Sequence, residues 1–92
     1  MEGMKHFQVT AIPAVGNLTE TWPAELREYM DENCYAVDVR RTLVTIFLSH
    51  DRFLIADMVK RVMETEGATK EVSDYGNVNF DFPGDPNIRI VI

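Results

Sequence analysis

Four consecutive residues, Ser49-His50-Asp51-Arg52, hold the densest set of chemically capable side chains in this 92-residue chain. Ser, His and Asp are the letters of a hydrolase triad. A triad needs its three groups to converge from separated positions, however, and immediate neighbours cannot do that. A helix N-terminus explains two of the letters without catalysis, because Ser49 or Asp51 can accept hydrogen bonds from the first free amides. What is left is an anion or polar-ligand site of Ser49, His50 and Arg52, where helix amides and a guanidinium meet at the end of a strand.

Other reactive types are more scattered. Arg40 and Arg41 stand together between two apolar runs, where they could hold a phosphate or carboxylate, or simply discourage strand pairing at an edge. Glu25, Glu28 and Glu32 fall three and four residues apart, so they share one helix face. No histidine accompanies them, and the reading is a solvated acidic face that could dock a basic protein partner, including a second copy presenting Arg40 and Arg41. Phe53 falls outside the apolar stripe of its helix and, with Trp22, is a candidate interface aromatic. Cys34 is the only cysteine. It follows a helix C-terminus, which disfavours a thiolate, and reads as a small core residue. His6 is too isolated to read as a ligand. No P-loop, dinucleotide glycine pattern, HExxH or calcium loop is present, and no cofactor or metal is expected.

The elements that must position these groups follow from periodicity. His6 to Ile12 alternates and stops at Pro13, which predicts a first strand. Residues 14–21, with Gly16 and Asn17, read as a loop. A helix then begins near Trp22 or Pro23, with Trp22, Leu26, Tyr29, Met30 and Asn33 or Cys34 on its apolar face. Asp31 and Glu32 near its C-terminus are disfavoured by the helix dipole, so this helix calls for a compensating group nearby.

Tyr35 to Arg41 and Thr42 to Leu48 read as two strands, with Tyr35, Val37 and Val39 inward and then Val44, Ile46 and Leu48. The favoured connection is a hairpin, the alternative one strand bulged at the arginines, since two arginines suit a positive-φ turn poorly. Phe53 to Glu66 has helical spacing up to a stop at Gly67, with a stripe of Leu54, Ile55, Met58, Val59, Val62 and Met63. Lys70 to Ser73 is a weak strand candidate. In the last segment, a five-residue loop Pro83 to Asn87 sets Phe82 against Ile88, Phe80 against Ile90 and Val78 against Ile92, with Asp81 opposite Arg89 on the other face. Pro83-Gly84 suits the centre of a type II turn.

These elements predict one α+β domain over residues 1–92, behind a disordered leader at 1–4. The architecture is a two-layer α/β sandwich with both helices on one face of a mixed sheet. Its expected order is ferredoxin-like βαββαβ with an extra C-terminal strand, the alternative a βαβαββ mixed sheet. Apolar content is 46% and charged content 26%, ordinary for a globular domain, and no apolar run reaches membrane-helix length. A lone thiol and no signal sequence point to the cytoplasm.

The net charge of −6 is segregated: −4 over residues 13–34, +2 over 35–63 and −4 from Glu64 onward. Acidic flanks around a mildly basic middle argue against a nucleic-acid partner. The function expected is a small protein-binding or regulatory module without catalysis, acting through protein contacts, the acidic helix face among them, and able to form a homodimer through its sheet. The alternative is an anion-binding domain or small enzyme at residues 49–52.

Overall fold

The computed structural model describes the backbone of residues 8–49 and 52–92, and the side chains of these outside 52–56. The expected leader, His6, His50 and Asp51, and the side chains of Arg52 and Phe53 lie outside the described residues. Three helices and five strands follow a short 3-10 turn at Val9–Ala11: α1 (Pro13–Thr19), α2 (Ala24–Asn33), β1 (Cys34–Val39), β2 (Leu43–Leu48), α3 (Arg52–Glu66), β3 (Thr69–Val72), β4 (Val78–Phe82) and β5 (Asn87–Val91). The strands form one mixed sheet in the order β1-β2-β5-β4-β3. All neighbours run antiparallel except the central pair, β2 and β5.

The two-layer arrangement is as expected, but the element order differs from βαββαβ at the start of the chain. Residues 9–19, expected as the end of a strand and then a loop, are helical. Pro13 is the reason. Its fixed φ and missing N–H suit a first helical turn, and Gly16 N–H donates to Ile12 O at 2.7 Å just behind it. Val9 and Val15 are buried, with Ile12 and Leu18 packed beside the core. That spacing of three suits a helix better than a strand. Thr19 is buried too, its hydroxyl donating to Val15 O at 2.8 Å.

α2 begins one residue after the predicted proline and buries Leu26 and Met30. Its awkward acidic end is compensated by neutral donors. The Thr10 amide donates to Asp31 Oδ1 at 3.0 Å and the Thr10 hydroxyl to Asp31 Oδ2 at 2.6 Å. The 3-10 turn is thus tied to α2, and α1 packs over it so closely that a Cβ on Gly16 would sit 2.7 Å from Thr10 O. α3 buries Met58, Val59 and Val62, and closes on Gly67 at φ +72°, where the Gly67 amide donates to Met63 O.

β1 and β2 form the expected hairpin. Its tip is tight: Arg40 N–H donates to Leu43 O, leaving Arg41 and Thr42 as the two turn residues, neither at positive φ. The bulge is at the opposite end of β1 from the arginines, where Tyr35 and Ala36 together oppose Phe47. That extra residue shifts the phase. Cys34 and Val37 face the core, while Tyr35, expected inward, turns outward and is 60% exposed. Val39, also expected inward, is 62% exposed at the sheet edge.

The C-terminal hairpin has the predicted register: Phe82 with Ile88, Phe80 with Ile90 and Asp81 with Arg89, and Val78 and Ile92 exchange both backbone bonds. Its loop is not the type II turn, since Gly84 lacks the positive φ that turn requires. It turns instead through a cis Asp85–Pro86 bond, with Gly84 N–H donating to Asn87 Oδ1 at 2.8 Å.

The core lies between the helices and one sheet face, built from Val44, Ile46, Leu48, Phe80, Phe82, Ile88 and Ile90 against Leu26, Met30, Met58, Val59 and Val62. No helix among the described residues is long and apolar enough to cross a membrane.

Two substitutions test the N-terminal joint. Asp31→Ala should cost about 1–3 kcal/mol of stability, the range for lost hydrogen bonds to a charged, partly buried group. Gly16→Ala should cost about 1–3 kcal/mol through overpacking against Thr10. Urea unfolding midpoints at constant slope measure both, and an unchanged midpoint for Asp31→Ala would show that Thr10 contributes nothing.

Candidate functional site

The strand–helix junction is built around Ser49, which follows β2. Its amide donates to Asn33 O at 2.9 Å, and its carbonyl accepts from the Tyr29 hydroxyl at 2.9 Å. These bonds staple the end of β2 to the last turns of α2 and leave Ser49 exposed. His50, Asp51 and the Arg52 side chain, the rest of the expected site, lie outside the described residues.

Arg40 and Arg41 sit at the far end of β2 from Ser49, so the structure does not bring them to the strand–helix junction. Arg40 Nε donates to Asp38 Oδ2 at 3.0 Å on the surface, and Arg41 is exposed at the hairpin tip. Glu25, Glu28 and Glu32 are exposed along α2, as expected. Trp22 is a core residue, as its place on the apolar face predicts, and not an interface aromatic. It is buried with its ring tilted against Phe82, centroids 5.4 Å apart. Cys34 is buried and its thiol donates to Ala36 O at 3.2 Å. Burial foremost, with the nearby Asp31 charge, pushes this thiol above its ordinary value, so it is a poor nucleophile. No group of three or more His, Cys, Asp and Glu among the described residues could hold a metal ion.

The surface that the sequence reading overlooked is the sheet face opposite the helices. Strand register places its side chains in rows. One row runs Asp38, Thr45, Arg89, Asp81, Thr69 from β1 to β3, and the next runs Ala36, Phe47, Val91, Asn79, Glu71. Leu43 lies beyond the first row and Tyr35 beside Phe47, their rings 6.2 Å apart. The first row is therefore polar from end to end, while the second is apolar over β1, β2 and β5 and polar to acidic over β4 and β3. Thr45 and Val91 in these rows are buried among their neighbours. Tyr75, in the β3–β4 turn, is 94% exposed at its margin.

Part of this face, from Asp38, Leu43 and Phe47 across to Arg89, Asn79 and Tyr75, lines with Arg40 a shallow, open concavity of about 700 Å³. Its two arginines are already paired. Arg89 Nε donates to Asp81 Oδ1 at 2.6 Å, a contact that raises the Arg89 pKa and holds the guanidinium in place. Asn79 Oδ1 is buried beside them with no hydrogen-bond partner among the described residues. An open face whose charges are internally matched suits a broad contact better than a small anion, which needs a free cation and enclosure.

A signal for this face exists in β2. Leu43 and Phe47 are out of phase with Val44, Ile46 and Leu48, yet they are apolar too. A strand with one solvated face should alternate.

No protein-family model matches the chain, and comparison with curated proteins and with solved structures finds no significant match.

The Cys34 assignment can be checked by thiol labelling. At mildly alkaline pH the folded protein should react with a disulfide reagent roughly tenfold or more slowly than the protein in urea, because burial and a raised pKa both limit thiolate. Equal rates would mean that the thiol is accessible.

Proposed function

We propose that this chain is a cytoplasmic protein-binding module without a cofactor, whose contact surface is the uncovered face of its sheet. The observation that carries this reading is one-sided coverage. Every helix packs on one face, while the other presents Tyr35, Leu43 and Phe47 beside ion pairs that neutralise themselves. Half-exposed aromatics at the centre of a patch, ringed by polar groups, are the usual anatomy of a protein contact. The acidic α2 face, with Glu25, Glu28 and Glu32, is the second surface this reading must be compared with, since all three are exposed and drawn to a basic partner.

Site-specific photo-crosslinking in living cells that make the chain separates the two. A benzophenone amino acid in place of Tyr35 should give a protein adduct, and the same group in place of Glu28 should not. An adduct confined to position 28 would move the contact to the acidic helix, and no adduct at either position would overturn the proposal.

A further inference from the structure

We infer that the occupant of this face is a second copy of the same chain, an inference that rests on the sheet face being the contact surface. The register supplies the argument. A two-fold axis running along β2, in the plane between two facing sheets, would lay each β2 on its counterpart and each β1 on the other copy's β5. Residues at one level along the strands then meet. Phe47 lies on Phe47 at the axis, and the exposed Tyr35 lies over β5 at the level of Val91, which is itself buried. Asp38 comes level with Arg89 of the second copy, because Asp38, Thr45 and Arg89 form one row. The apolar positions are self-complementary, and Asp38 and Arg89, each already paired within its own copy, bring no like charges together. β4 and β3, with Asp81 and Glu71, fall outside the overlap, so the acidic half is never set against itself.

Whole-molecule charge favours the same face. Asp38, Asp81 and Glu71 against Arg40 and Arg89 leave it nearly balanced, while the chain carries −6. Two copies therefore repel least when they approach through it. The size of the overlap sets the strength. Three strands at ~4.8 Å spacing and six residues at ~3.3 Å give about 14 × 20 Å per copy in projection, small for a specific interface. The association is accordingly weak and concentration-dependent.

Sedimentation equilibrium of the purified full chain, from low to high micromolar, tests this. The mass should rise toward twice 10.5 kDa with concentration. Tyr35→Glu and Phe47→Glu should each weaken association roughly tenfold or more, with unchanged far-ultraviolet circular dichroism, whereas Glu28→Lys should leave it as in the parent. If Phe47→Glu unfolds the chain, Tyr35→Glu decides, because that site is 60% exposed. A parent that stays monomeric throughout overturns the second-copy inference, and so does a dimer indifferent to Tyr35→Glu. An adduct from position 35 to a different protein would likewise refute self-association and leave the sheet face standing as the contact surface.

Discussion

Val44 beside Ile88 and Ile46 beside Ile90 make a parallel pair at the centre of the sheet, and the remaining elements are placed by it. Parallel neighbours cannot be joined by a tight turn and need a crossover. Here the chain leaves β2 through α3, reaches the far edge at β3, and returns through β4 to β5. β1 can then attach only to the outer side of β2. The apolar rows of β2, β4 and β5 turn toward α2 and α3, and the buried residues of α1 and the 3-10 turn join the same layer. Among the described residues, nothing in this order delivers a helix to the opposite face. The bareness of that face is a product of the connectivity.

The helix layer is fastened to the sheet by a few polar joints as well as by the apolar core. Asp31 takes two donors from Thr10, and the last turns of α2 hold the end of β2 through Ser49. Both joints use groups that an isolated helix would leave unsatisfied or unfavourably placed. Asn33 O is one of the last carbonyls of α2, and Asp31 sits near the negative end of the dipole. Each finds a donor from another element, so α2 becomes consistent only in the folded molecule.

Local pattern carried much of the fold. The alternation of Phe80 and Phe82 with Asp81, matched to Ile88, Ile90 and Arg89, sets the C-terminal register because one slip would put a charge in the core. The stop at Gly67 and the start beside Pro23 are likewise local chemistry. Residues 9–19 fit two templates: the seven-residue alternation from His6 to Ile12 suits a strand, while the competing spacing of Val9, Ile12, Val15 and Leu18 runs across the proline that would end that strand. Gly16 looked like a loop residue, but it is there for close approach to Thr10. The open face leaves only an ambiguous trace in the sequence, for a different reason. β2 is apolar in both phases, so periodicity could not say that Leu43 and Phe47 point away from the helices. The bulge at Tyr35 shows only once the strands are paired.

The placement of Trp22 has an optical consequence. It is the one tryptophan in the chain, buried in the helix layer against Phe82, while Tyr35 and Tyr75 lie with the opposite face. Indole emission, blue-shifted by burial, therefore reports whether the helix layer is seated on the sheet. It is insulated by the thickness of the sheet from whatever covers the other side. Tyrosine absorbance at positions 35 and 75 responds to that second event. Tyr29 shares the helix layer with Trp22. The chain's single indole thus reports that layer on its own, while two of the three tyrosines contribute an absorbance change when the opposite face is occupied.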